Sequence, residues 1–214
     1  MMAIEIEDFN ILKTMRQQNP EGKSCAILGD CHFYGGSLDD FKNALGFTTL
    51  DTFDVNGQPT HKIDLNEPVH NQFKNKYDWV IDSGTIYCCF DPCTVFKNIL
   101  FMLKENGCVM HTSNLCGFFG RGFYSLSPAL FRDFYNINGF DIQLSATKTR
   151  GGTWRQFDSS NTYLSSTSLD FQEKSGDFIS HIPNDSLICC FAKRKNISNF
   201  KKPIPEHFIK TNGK

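Results

Sequence analysis

No apolar run in this 214-residue chain approaches the roughly 20 residues that a helix needs to cross a bilayer, and no secretory leader opens it. A cytoplasmic protein without membrane insertion is expected. Excess charge of either sign is missing too: 22 basic residues stand against 23 acidic ones, a formal net charge of −1, so no global field draws nucleic acid. The basic cluster of Lys193, Arg194, Lys195, Lys201 and Lys202 reads as a solvated terminus. No Cys-x-x-Cys pair or Cys/His set at zinc spacing occurs, which leaves no metal site to expect. The nine cysteines then read as free thiols of a reducing compartment, with Cys88, Cys89 and Cys93 serving as small buried hydrophobes. A Gly-x-Gly-x-x-Gly after the first strand and a Tyr-x-x-x-Lys pair are both absent, which argues against a nicotinamide-dependent oxidoreductase. Neither an internal repeat nor a linker divides the chain, so residues 1–214 are expected to form one domain.

What the chain does have is 40% hydrophobic residues, including 21 phenylalanines with no period, which suit a core and pocket lining. Phe9, Leu12 and Met15 are spaced for a short amphipathic helix over 8–18. SCAILGD (24–30) predicts a strand entering a loop with Gly35 and Gly36, and SLDDFKNALGF (37–47) a helix capped by Ser37. Strands are predicted at 48–55, 60–69 and 77–82, a helix at 92–107 that stops at Gly107, and a strand from 108 to 112. A further helix over 126–140, a strand near DIQLSA and a last strand at 186–194 follow. Residues 148–177 have little apolar patterning and predict a loop or lid. Such alternation implies parallel strands joined by right-handed crossovers, with helices on both faces of the sheet.

Four predicted strands end in polar residues: Gly29-Asp30, Asp54, Asp64-Leu65-Asn66 and Asp82-Ser83-Gly84. In an open α/β sheet, ligands bind beyond the carboxyl ends of the strands, so these groups converge on a candidate site. Read singly, each is an ordinary turn.

The stretch YDWVIDSGTIYCCFDPCTVFKNILFMLKENGCVMHT, with GRGFYSLSPALFRDFYNINGF after it and IDLNEP before it, resembles a group of class I S-adenosylmethionine-dependent methyltransferases. Members of that group are associated with bacterial surface-polysaccharide biosynthesis. The resemblance covers about residues 24–142 and implies a single Rossmann-like α/β domain, with a mostly parallel seven-stranded sheet and helices on both faces. It divides the chain into an N-terminal helix (1–22), a cofactor-binding core (24–112), a substrate-side loop, helix and lid (113–177) and a C-terminal strand region (178–195). It also implies S-adenosylmethionine as cofactor and methyl transfer to oxygen or nitrogen of a small or sugar-linked acceptor. Asp54, with Asp51 as the alternative, would accept from the ribose diol, Asp64 and the Leu65 N–H would meet adenine, and Asp82, Ser83 and Gly84 would flank the methionine portion. Gly29 and Asp30 would pass beneath its amino-acid end. The chain departs from the pattern where ILGDCHFYGG replaces an acidic residue followed by Gly-x-Gly-x-Gly, and where Tyr87-Cys88 replaces Glu-His. Base candidates are then His111, expected at the end of a strand facing the crevice, Tyr124 and His32. Arg121 and Tyr124 are the candidates for binding the acceptor. The rival reading is a partner subunit that keeps the fold and lacks catalysis.

Overall fold

The structure, a computed structural model, describes residues 2–118, 120–149, 155–156, 185–197 and 199–205. Its central sheet has the order β5-β4-β2-β6-β7-β10-β8-β9. The first five of these run parallel: β5 (His61–Lys62), β4 (Thr49–Asp54), β2 (Ser24–Leu28), β6 (Tyr77–Ser83) and β7 (Leu103–Cys116). β10 (Ser186–Arg194) inserts antiparallel between β7 and β8 (Phe140–Thr149), and β9 (Arg155–Gln156) adds two residues at the edge. Six longer strands and the two-residue β5 make the expected seven in a mostly parallel sheet, and β9, also two residues long, adds an eighth at the edge.

Helices cover both faces. On one, α1 (Ile6–Gln18) and α2 (Leu38–Ala44) bury Leu12, Met15 and Phe41 against Cys25, Ile27, Trp79 and Phe191. On the other, α3 (Pro92–Met102) and α4 (Pro128–Ile137) bury Val95, Phe96, Ile99, Phe131 and Phe134 against Ala26, Leu28, Val80 and Val109. Each such aliphatic or aromatic side chain contributes about 1.5–3 kcal/mol. A capping box between Ser37 and Asp40 opens α2, and Asp91 and Ser127 cap α3 and α4 ahead of a proline in the first turn. α1 is held by the buried Arg16, whose guanidinium donates to the carbonyls of Leu45, Asn19, Glu21 and Gly22 and lies over Phe47 and Trp79.

Several expectations need correction. The strand expected over 60–69 is only His61–Lys62; Asp64 Oδ1 accepts the Asn66 N–H at 2.9 Å, and this local bond competes with a strand ladder. The helix expected to reach Gly107 ends at Met102, because other groups take its last carbonyls. Arg194 donates to Leu100 and Leu103 oxygens at 2.8 and 2.7 Å, and the N–H groups of Asn75 and Lys76 take those of Phe101 and Met102. Arg194 is therefore a buried anchor and not part of a solvated tail. β1 (Met2–Ile4) and β3 (Cys31–Phe33), a parallel pair outside the main sheet, carry no clear pattern in the sequence. Most of the lid expected at 148–177 lies outside the described residues. All nine cysteines are free, and burial pushes the thiols of Cys89, Cys108 and Cys190 up to about 12.

The sheet order also sets where a ligand can enter. From β2 the chain proceeds to β4 and β5 on one side, whereas β6 and β7 extend on the other, so the winding reverses between β2 and β6. The crevice beyond their carboxyl ends is a topological switch point.

Candidate functional site

On the β4 side of the switch point, two carboxylates tie two loops together. Gly29, at φ +100°, donates its N–H to the Phe53 oxygen at 2.7 Å. The Asp30 N–H donates to Asp54 Oδ2 at 2.8 Å, the Asn56 N–H to Asp54 Oδ1 at 3.0 Å, and the Gln58 N–H to Asp30 Oδ2 at 2.8 Å. Gly57 permits this approach: a Cβ there would lie 2.0 Å from Asp30 Oδ2. Both carboxylates remain half-buried, and each oxygen keeps a second lone pair.

Beyond β5, Asp64 is exposed and accepts from the Asn66 backbone and side chain at 2.9 and 2.7 Å, while Leu65 is buried. The buried Asn98 side chain fixes this turn from α3, donating to the Leu65 and Glu67 oxygens and accepting the Val69 N–H. Sequence reading missed Asn98, since an asparagine on an apolar helix face carries no motif.

The end of β6 divides into an inside and an outside. Asp82 is 0% exposed, its Oδ1 accepting the N–H groups of Thr85 and Ile86 at 2.8 and 3.1 Å and its Oδ2 meeting His111 Nδ1 at 2.7 Å. His111 is likewise 0% exposed, and its Nε2 meets the Tyr135 hydroxyl at 2.5 Å. Burial raises the Tyr135 phenol well above its ordinary range, so it stays protonated and can donate to Nε2 of a neutral ring. In the neutral ring the Nδ1 proton then goes to Asp82. The expectation that His111 faces the crevice is not met: the ring sits among Phe96, Phe131 and Tyr135 with both nitrogens engaged. Asp82 likewise shows no surface to the crevice and caps the turn of Thr85 and Ile86.

Ser83 and Gly84 lie outside this node. Together with Thr112, Tyr87, Tyr34, Phe118, Arg121, Leu187 and, from the N-terminal segment, Ala3, Glu5 and Asp8, they line a cavity of about 150 Å³. β1 closes against it, with Ser83 Oγ donating to the Ala3 oxygen at 3.1 Å and the Tyr34 N–H to Ile4 at 3.2 Å. Lys148, reaching from β8, bonds Asp8 Oδ1 at 2.8 Å and Glu5 Oε2 at 2.9 Å. Burial raises the Asp8 carboxyl although Lys148 opposes this, and the two carboxylates raise the Lys148 ammonium although burial opposes them. Glu5, Asp8 and Lys148 lay beyond sequence reading, because Lys148 is 140 residues from Asp8.

Arg121 lines the cavity and is exposed. Tyr124 does not line it; its hydroxyl donates to the Phe90 oxygen at 2.8 Å. His32 is exposed and sits edge-on to Tyr34. Of the expected residues, the fold therefore gathers Ser83, Gly84 and Arg121 at one cavity and joins Asp30 to Asp54. It withdraws Asp82 and His111 into the interior. No cluster of three or more metal-ligating side chains occurs among the described residues.

No family model and no curated protein matches the sequence. Solved structures do match in fold. The 1,6-didemethyltoxoflavin-N1-methyltransferase of Burkholderia thailandensis, solved with its substrate and S-adenosylhomocysteine, superposes with a TM-score of 0.54 at 9% identity, over 88% of this chain and 78% of that one. The N-methyltransferase NodS of Bradyrhizobium japonicum, solved with S-adenosylhomocysteine, gives 0.54 at 8% identity over 90% and 89%. A SAM-dependent methyltransferase of Archaeoglobus fulgidus gives 0.53 at 13% identity over 87% and 94%. The domain has the Rossmann-like fold that these S-adenosylmethionine-dependent methyltransferases share.

Proposed function

We propose that this chain is an S-adenosylmethionine-dependent methyltransferase that acts on oxygen or nitrogen of a small or sugar-linked acceptor. The observation that carries this reading is the crevice at the β2/β6 switch point. Glycines at φ +100° (Gly29) and φ +93° (Gly84) face it from two strand ends, and the half-buried Asp54 carboxylate ends the neighbouring strand. These groups fit the cofactor. A carboxylate with open lone pairs suits a ribose diol, residues without Cβ permit close backbone approach, and the Asp64-Leu65 turn offers a carboxylate and a backbone beside an apolar side chain for an adenine.

When bound, the cofactor supplies an activated methyl group, and the chain's task is then chiefly to bind, orient and exclude water. Asp54 and Asp30 fix the two loops on the cofactor side. Asp82, buttressed by His111 and Tyr135, holds the turn that presents Ser83 and Gly84. With His111 fully buried, the groups left to face an acceptor are the polar side chains of the cavity, among them Ser83, Thr112, Tyr87 and Arg121. The link to surface polysaccharides rests on sequence resemblance alone. A cytoplasmic location is supported by nine free thiols and by the lack of any described helix long and apolar enough to cross a membrane.

One feature favours the rival reading of a non-catalytic partner subunit: β1 lies against the end of β6, where its Ala3 carbonyl engages Ser83. Calorimetry with S-adenosylmethionine and S-adenosylhomocysteine separates the two. Binding in the micromolar range is expected, and its absence at millimolar cofactor would overturn the enzyme.

A further inference from the structure

Three aromatic side chains stand among the large hydrophobic residues exposed in the described structure; one lines the cavity, and the other two sit on the loops that carry its lining residues Tyr87 and Arg121. They are Tyr34 (66% exposed), Phe90 (72%) and Phe123 (65%). Tyr34 lines the cavity directly. Phe123 is fixed to its wall, because the N–H groups of Phe123 and Tyr124 both donate to the carbonyl of Tyr87, at 2.8 and 3.2 Å. Gly122 makes that approach feasible: it has φ +77°, and a Cβ would lie 2.4 Å from the Tyr87 ring. Phe90 meets Phe123 edge to face at 5.7 Å between centroids, and the Tyr124 hydroxyl pins the Phe90 carbonyl. Scattered exposed apolar residues need no explanation, but two rings held against each other by three hydrogen bonds through their loops form a pre-organised surface.

The same loop carries a charge that lines the cavity. Arg121, two residues before Phe123, is exposed, and no carboxylate pairs with it among the described residues. Its field reaches Tyr87 and Cys88, close to Phe90 in the chain. The cavity itself, about 150 Å³, has the size that holds a benzene ring, so a larger acceptor must extend out across the mouth.

We propose that Phe90, Phe123 and Arg121 form an outer acceptor subsite for a six-membered ring with an apolar face and an anionic substituent. The ring packs on the phenylalanines, and the anion meets the guanidinium. This subsite rests on the methyltransferase reading, since it holds the part of the acceptor that the cavity cannot contain. Two sources share the required chemistry, a sugar acid and an aromatic acid.

Ligand-observed NMR titration of the full chain, with and without S-adenosylhomocysteine, tests the subsite with four probes. Methyl β-D-glucuronide and benzoate carry both ring and charge, methyl β-D-glucoside lacks the charge, and acetate lacks the ring. One or both ring anions should bind about tenfold more tightly than the glucoside and acetate. Glucuronide as the preferred probe identifies a sugar acid, benzoate an aromatic acid. Phe90→Ala and Phe123→Ala should each weaken that probe about fivefold. Arg121→Gln should abolish the preference over an uncharged ring. All three side chains are exposed, and unchanged thermal unfolding confirms that the variants fold. Equal binding of all four probes, or a preference that survives Arg121→Gln, overturns the subsite. Calorimetry with S-adenosylhomocysteine on the same protein keeps the two readings apart. Cofactor binding without ring-anion preference sinks the subsite alone, and ring-anion preference without cofactor binding sinks the methyltransferase reading alone.

Discussion

Asp54 and Asp82 each stand at the end of a parallel strand, β4 and β6, on either side of β2, and the protein uses them in opposite ways. Asp54 is half-buried and accepts only two backbone N–H groups, so it keeps capacity for a ligand. Asp82 is 0% exposed and spends both oxygens on Thr85, Ile86 and His111. The difference comes from what covers each strand end. Over β6, α4 brings Phe131 and Tyr135 onto His111, whereas the end of β4 meets the loops that follow β2 and β4. A strand-end carboxylate thus keeps accessible oxygens where no helix roofs it, and loses them where one does.

Replacing the buried member should have the largest effect. Asp82→Ala leaves two buried N–H groups and an imidazole without their acceptor, a loss of about 3–5 kcal/mol, or about 6–20 °C in Tm for a domain of this size. Thermal unfolding followed by circular dichroism reads it. A shift under ~2 °C would mean that the buried node does not hold the turn, and the contrast with Asp54 would dissolve.

Asp54→Ala should instead act on binding. A hydrogen bond to a charged group contributes about 1.5–3 kcal/mol, so affinity for S-adenosylhomocysteine should fall about 10- to 150-fold in calorimetry. Its two loop bonds are half-exposed to solvent, so the accompanying stability loss should be smaller, about 1 kcal/mol each. If stability collapses while affinity of the remaining folded protein holds, Asp54 belongs with Asp82.

A third carboxylate, Asp78 at the opposite end of β6, extends the comparison to pH. Burial by itself would raise its pKa. Hydrogen bonds from the Ser24 hydroxyl and backbone N–H, the Lys104 ammonium and the Lys23 N–H overcome this and hold it at about 2. Because the folded value lies below the unfolded one of about 3.9, the stabilisation is present above that pH and lost as pH falls through about 2. The stability gap between wild type and Asp78→Asn should therefore narrow between about pH 4 and pH 2. A gap constant across that window would remove Asp78 from the acid response.

The smallest effect is expected at Tyr124→Phe. Its hydroxyl holds the Phe90 carbonyl from a half-buried position, so the loss should be about 0.5–1 kcal/mol with cofactor affinity unchanged. A tenfold loss of S-adenosylhomocysteine binding would place Tyr124 on the cofactor side, contrary to the geometry.

Much of this architecture was legible in the residues themselves. Apolar runs bounded by glycine, asparagine and proline marked β2, β4, β6 and β10. The spacing of Leu12 and Met15 marked α1, and the cap at Ser37 marked the start of α2. These signals are local: a period or a cap involves partners within four residues, so one chain segment carries the whole message. The polar residues at the strand ends were visible for the same reason, as turns that follow apolar runs.

Which of those polar residues stay accessible was settled by partners far along the chain. His111 is 29 residues from Asp82, Tyr135 is 24 from His111, and Lys148 is 140 from Asp8. Arg194, which looked like part of a solvated tail, ends α3 from 91 to 94 residues away. Burying an ionisable or polar group is costly unless its hydrogen bonds are met, and no local pattern announces a partner that only tertiary packing delivers. Thus the alternation of strands and helices belonged to the sequence, and the sorting of its carboxylates into accessible groups and buried structural posts belonged to the packed fold.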